Sequence, residues 1–262
     1  MKVKFLGDLH CSTTKDFGPN VIQVGDLCLT NYERYGPYPK LKRFFIDGNH
    51  EAFPFLNPDA EQPYQVKEGL VYIPRGFFSG EVLFIGGAGS VDFNLRLYDE
   101  LYVFINKNKN NIDPKILEAF GQLKAKRFIQ RGLRWEDQID PILIQFYKEL
   151  QTKHEWFPEE DITDNQLKRI LDTNRIVDVV VAHDCPYSVL SKIVPSVIEQ
   201  FAASNYALEK IFEKFKPKLW IFGHHHKHLD FIHQDCRFVC LNICQLKEFD
   251  VPLANNFFDL NY

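Results

Sequence analysis

Nine residues able to bind a metal or move a proton stand in five short clusters. They are Asp8 with His10, then Asp26, then Asn49 with His50 and Glu51, then His183, and last His224 with His226. Carboxylate, imidazole and one amide together suit Mn, Fe, Zn, Ni or Co, and no thiolate is required. The set exceeds what a single tetrahedral ion takes. Two ions sharing one carboxylate would use it. Paired ions of that kind activate a water and stabilise the attacking and leaving oxygens of an in-line displacement. The expected chemistry is therefore metal-assisted hydrolysis on two divalent ions, with manganese first among the candidates.

Spacing narrows the set. Asp8 and His10 are two apart, as are His224 and His226. In extended backbone each pair shares a face, and His225 points the other way and is excluded as a ligand.

Each cluster follows a short run rich in β-branched or aromatic residues. Val3–Leu6 ends in Gly7-Asp8, Val21–Val24 in Gly25-Asp26, and Arg43–Ile46 leads into Gly48-Asn49. The continuous apolar run Ile176–Ala182 ends in His183-Asp184, and Lys218–Phe222 in Gly223-His224. Such runs read as strands, and open α/β sheets place ligands outside the carboxyl ends of their strands. Gly69–Ile73 and Val82–Ile85 add two strands, and Leu229–Ile243 reads as a hairpin turning near Gln234-Asp235. Between residues 93 and 162 the strand signals stop. Pro114–Arg131 and Ile139–Gln151 carry apolar residues at helical spacing, and Asp113-Pro114 reads as a helix start. Ser196–Phe215 reads as a further helix. The pattern predicts one domain over residues 1–262, an α/β sandwich interrupted by a helical cap insertion at 93–162.

Composition excludes several classes. Of 262 residues, 45% are hydrophobic and 25% charged, as in ordinary globular proteins. No apolar run is long enough to span a bilayer, and no secretory leader is visible at the start. The six cysteines include no C-x-x-C pair, so a disulfide scaffold is not expected, and the cytoplasm is the expected location. Net charge is -4, yet the segment Lys107–Arg134 carries eight basic and two acidic residues, for +6. On a helix Lys124, Arg127 and Arg131 would share a face. That face is either a solvated surface or a seat for a nucleotide or nucleic acid.

The ordered series D-x-H, G-D, G-N-H-[DE], H and G-H-x-H resembles the calcineurin-like metallophosphoesterases over nearly the whole chain. The resemblance implies a four-layer αββα sandwich of two mixed sheets and hydrolysis of a phosphate ester. It assigns Asp8, His10 and His226 to one ion, Asn49, His183 and His224 to the other, and Asp26 to both. It makes His50 the group that contacts the phosphate and protonates the leaving oxygen, oriented by Glu51. A narrower likeness rests on Tyr72-Ile73-Pro74-Arg75-Gly76, Gly86–Asp92 and Trp156–Glu160. These stretches are similar to a bacterial and phage branch with a G-G-A-x-S-I-D signature. Arg96 stands where it could join Asn49 and His50 in binding substrate; Asp92 also lies within reach, and an internal salt bridge between the two serves equally well.

Two features depart from the family pattern. The stretch between His10 and Asp26 reads as a loop where relatives place a helix, with Cys11 in place of a glycine, so an outer helix is expected to be missing. The central insertion is also long. A phosphodiesterase or nucleotide or nucleic-acid phosphoesterase is the leading expectation. The alternatives are a protein phosphatase and a catalytically silent metal-bound scaffold. Gly25–Thr30 lacks the arginine-bearing motif of the former, and His50 argues against the latter.

Overall fold

A computed structural model describes residues 1–10, 17–28, 42–89, 101–108, 111–125, 141–146, 148, 157–194 and 203–259. Two mixed sheets of six strands form an α/β sandwich. The first sheet has β1 (Lys2–Leu6), β2 (Val21–Gln23), β3 (Arg43–Phe45), β4 (Tyr64–Lys67), β5 (Leu70–Tyr72) and β12 (Leu246–Asp250), in the order β12-β1-β2-β3-β5-β4. The second has β6 (Phe77–Ser79), β7 (Val82–Ile85), β8 (Val179–Ala182), β9 (Leu219–Phe222), β10 (Leu229–His233) and β11 (Cys236–Cys240), in the order β10-β11-β9-β8-β7-β6. Both have four parallel central strands and antiparallel edges.

This arrangement follows from composition. Every residue of Val82–Ile85 and Val179–Ala182 is buried, as a parallel strand covered on both faces requires. Val3, Phe5, Ile22, Phe44 and Val71 meet Phe84, Val181, Ile221 and Val239 between the sheets. Phe257 closes that layer, stacked 5.7 Å from Phe84 and tilted against Phe44 at 5.0 Å. The outer face of the second sheet is covered by helical segments of the second half of the chain: Leu167, Leu190 and Leu208 pack there against Trp220 and Phe238. The other face of the first sheet is covered, among the described residues, by loop side chains such as Leu9, Leu27 and Leu56.

Helices among the described residues include α1 (Pro114–Ala125), α2 (Asp164–Leu171), α3 (Tyr187–Ile193) and α4 (Ala203–Phe215), and residues 101–107 are also helical. Asp113 starts α1, accepting from the Lys115 amide at 2.9 Å. Thr163 and Gln166 form a reciprocal capping box at the start of α2. With 101–107 and the 3-10 turn Pro141–Leu143, α1 encloses a small separate cluster of Leu101, Ile116, Ala119, Leu143 and Phe146. Residues 126–131 of the expected continuation of α1, residues 139–140, 147 and 149–151 of the expected helix over 139–151, and residues 195–202 before α4 lie outside the described residues.

Several elements differ from the sequence reading. The long apolar run becomes a strand only from Val179, and Ile176 is 71% exposed. Strands β4, β6 and β12 and helices α2 and α3 were not expected. The three strands are sheet edges of mixed burial, so they lack an apolar run. The hairpin of β10 and β11 does turn at Gln234-Asp235, both at positive φ, the conformation a two-residue hairpin favours. Among the described residues, no helix is long and apolar enough to cross a membrane.

Candidate metal centre

The loops after β1, β2 and β3 meet the loops after β8 and β9 at one rim of the sandwich. The carboxylates there are buried: Asp8 is 0% and Asp26 1% exposed. A buried charge requires a partner of opposite sign. Imidazoles surround both.

The donor atoms around these carboxylates fall into two groups that share a member, and Asp184, Cys185 and His225 form a third. Asp8, His10, Asp26 and His226 each place one ligand atom within 4.8 Å of the others. Asp26, His183 and His224 do the same. His10 Nε2 lies 2.7 Å from His226 Nε2 and 3.6 Å from Asp26 Oδ2. On the other side, His183 Nε2 lies 3.5 Å from Asp26 Oδ1 and 3.2 Å from Asn49 Oδ1.

These contacts leave atoms that suit a cation. Asp8 Oδ1 is buried with no hydrogen-bond partner, while its Oδ2 accepts from the His224 amide at 2.9 Å. His183 Nδ1 lies 2.7 Å from the Val24 carbonyl oxygen. A carbonyl only accepts, so Nδ1 donates to it, and Nε2 is the ring nitrogen left facing the two oxygens. Such a carbonyl fixes the tautomer and orientation of a ligating histidine. A Cβ at Gly25 would overlap His183, and one at Gly223 would overlap Asp8, so both side chains need bare backbone beside them.

The electrostatics agree. Burial alone would raise the Asp26 pKa, but His183, then His50 and His10, hold it far below the ordinary carboxylate range. Burial would lower that of His183, yet Asp26 and then Asp8 push it up to about 10. His224 falls to about 3, chiefly through burial.

The geometric reason given by the sequence reading does not hold, although the residues it selected converge. His10, Asp26, His224 and His226 have φ of 42°, 47°, 65° and 52°, left-handed rather than extended. A non-glycine residue rarely adopts that conformation, and such strain concentrates at functional sites. His225 stands outside both groups. Its Nε2 lies 2.8 Å from Asp184 Oδ1. Asp184 also accepts from the Cys185 amide and Asn205 Nδ2, and its Oδ2 is 4.0 Å from His224 Nε2. Sequence reasoning gave Asp184 no role. The available signal was a carboxylate directly after His183 at the end of a fully buried strand.

The His50 ring lies edge-on to His10, with centroids 5.4 Å apart, and its amide donates to Asp26 Oδ1 at 3.0 Å. Glu51 is buried, and its Oε1 accepts from the Leu27 amide at 2.6 Å, bracing the loop after Asp26. Arg96, Asp92 and Cys11 lie outside the described residues.

Comparison with known proteins gives a family. The model of the calcineurin-like phosphoesterases matches residues 1–228. No curated protein matches the sequence. Among solved structures, the chain is similar to the phosphopantetheinyl hydrolase of Mycobacterium tuberculosis at 13% identity, with a TM-score of 0.37 over 92% of this chain and 89% of that one.

Proposed function

Because the chain belongs to the calcineurin-like phosphoesterase family and is a metal-dependent phosphoesterase, we propose that it hydrolyses its ester on two divalent ions held side by side. Asp8, His10 and His226 would hold one, and Asn49, His183 and His224 the other. Asp26 would serve both. The observation that carries this reading is the membership of Asp26 in both donor groups. Ions there would supply Lewis-acid polarisation of the phosphoryl group and acidify the attacking water. Manganese is the leading candidate, with Fe, Zn, Ni and Co also suited to these oxygen and nitrogen donors.

The remaining side chains have separate tasks. Val24 holds His183 in one tautomer, and the His224 amide holds one oxygen of Asp8. His50 sits beside His10 at the accessible side of the site, where it can contact the phosphate and protonate the leaving oxygen. Glu51 braces the loop after Asp26 and would orient His50. Arg96 and Asn49 complete the substrate contacts.

The substrate class follows from charge. A diester, nucleotide or nucleic acid fits the basic segment 107–134, part of a helical cap insertion at 93–162 within one domain. The separate apolar cluster of α1 supports that division. We also place the chain in the bacterial and phage branch, on Gly86–Asp92 and Trp156–Glu160. A cytoplasmic location is supported by the buried thiols of Cys185, Cys236 and Cys240, none of them in a disulfide. Chelation tests the central reading. Exhaustive removal of metal should abolish hydrolysis of a chromogenic phosphate ester, and Mn, Ni or Co should restore it. Full turnover by verified metal-free protein would sink it.

A further inference from the structure

Arg75 lies three residues beyond β5, buried and 1% exposed. Its Nε and Nη2 donate to Asp47 Oδ2 at 2.8 and 2.5 Å. Nη2 also donates to the carbonyl oxygens of Glu159 and Glu160, at 2.6 and 3.2 Å. Nη1 donates to the Asp161 carbonyl oxygen at 2.7 Å and to Gln166 Oε1 at 3.3 Å. One guanidinium thus joins the end of the first sheet to the segment that leads into α2.

Asp47 is held on its other sides as well. Tyr72 donates its hydroxyl to Oδ1 at 2.6 Å, and the Gly87 amide donates to the main-chain oxygen at 3.0 Å. A Cβ on Gly86 would overlap Asp47, and one on Gly87 would stand 2.7 Å from Arg75 Cζ. The Tyr72–Gly76, Gly86–Ala88 and Phe157–Glu160 stretches therefore share one physical purpose, which is to enclose this ion pair.

Asp47 begins the loop that carries Asn49 and His50. The next residue, Gly48, lies so close to Asp26 that a Cβ would overlap its carboxylate. Asn49 Oδ1 faces His183, and the His50 amide holds Asp26 Oδ1. We propose that Arg75 is a positioning residue of the metal centre, acting through Asp47 to set Asn49 and His50 against Asp26 and His183. The inference rests on the two-ion reading and adds an asymmetry to it. Asn49 Oδ1 meets the Asp26–His183–His224 group, at His183 Nε2, so loss of the Arg75 fork loosens the Asn49–His183–His224 site more than the Asp8–His10–His226 site. Arginine is required because its planar fork offers five donors, whereas a lysine offers a single charged point.

Manganese titration of the metal-free protein by calorimetry tests this, with urea melts as a check of folding. Two variants are needed. Arg75→Lys keeps the buried charge, and Arg75→Met with Asp47→Asn removes both charges together, so neither leaves a lone buried ion. The wild type should bind two ions. Both variants should bind one ion nearly as before and the other about 10–100-fold more weakly, the range for outer-sphere changes at metal sites. Lower melting points with both affinities unchanged would show a purely structural pair and overturn the proposal. Equal weakening at both sites would also overturn it, since the asymmetry would be absent. A wild type that binds fewer than two ions would defeat the two-ion reading itself, and this inference with it.

Discussion

The main-chain amide of His50 donates to Asp26 Oδ1 across 3.0 Å, which ties the loop of the proposed proton donor to the carboxylate common to both donor groups. Asp26 also keeps Oδ2 3.6 Å from His10 and Oδ1 3.5 Å from His183. One side chain therefore spans both donor groups.

That span makes Asp26→Asn a two-site lesion. The amide keeps the shape but loses the charge and one acceptor. Manganese stoichiometry should fall at both sites, by about 100-fold or more in affinity, and hydrolysis should fall with it. Elemental analysis after dialysis reads the occupancy. Retention of both ions would refute a bridging role.

His50→Ala should separate chemistry from metal binding. The side chain belongs to neither donor group, so both ions should stay bound. The rate should drop by about 10²–10⁴-fold, the usual contribution of a general acid. The loss should shrink for esters whose leaving group has a low pKa, because that oxygen needs no proton. Equal losses across a leaving-group series would make His50 a positioning group only.

The basic insertion predicts a substrate-dependent effect. Reversing the charge of Lys124, Arg127 and Arg131 together should raise KM for a polyanionic substrate and flatten its dependence on salt. Turnover of a small chromogenic ester should barely change. Absence of nucleic-acid binding and cleavage by the wild type at low salt would remove nucleic acid from the candidate substrates.

The thiols give a prediction from burial. Burial disfavours the thiolate of Cys236 and Cys240 and pushes both up to about 12. Cys185 is raised well above the ordinary thiol by burial and by Asp184. The thiolate is the reactive form, so these three should resist alkylation at pH 7 in the folded protein. Among the described cysteines, half-buried Cys244 should be labelled first. Mass spectrometry after a timed pulse of iodoacetamide reads the order. Labelling of Cys185 as fast as Cys244 would contradict the packing.

The sequence alone determined the inner strands and the residue types at their ends. Val179–Ala182 and Val82–Ile85 are buried on both faces, and that burial writes a continuous apolar run into the chain. Asp8, His10, Asp26, Asn49, His183, His224 and His226 could be selected because each follows such a run. The edge strands β4, β6 and β12 left no comparable signal, since half-exposed edges need no apolar run. Local spacing also gave the wrong backbone at His10, His224 and His226, because loops that converge on one centre turn through left-handed conformations. The family resemblance assigned Asp26 to both ions, and the tertiary structure supplies the geometry, since the two donor groups that share Asp26 join residues from two different sheets. The tertiary structure alone paired Arg75 with Asp47, and it drew the carbonyl oxygens of Glu159, Glu160 and Asp161 around the same guanidinium. Those partners are separated by dozens of residues in the chain, and no local pattern records a contact that exists only when two sheets pack.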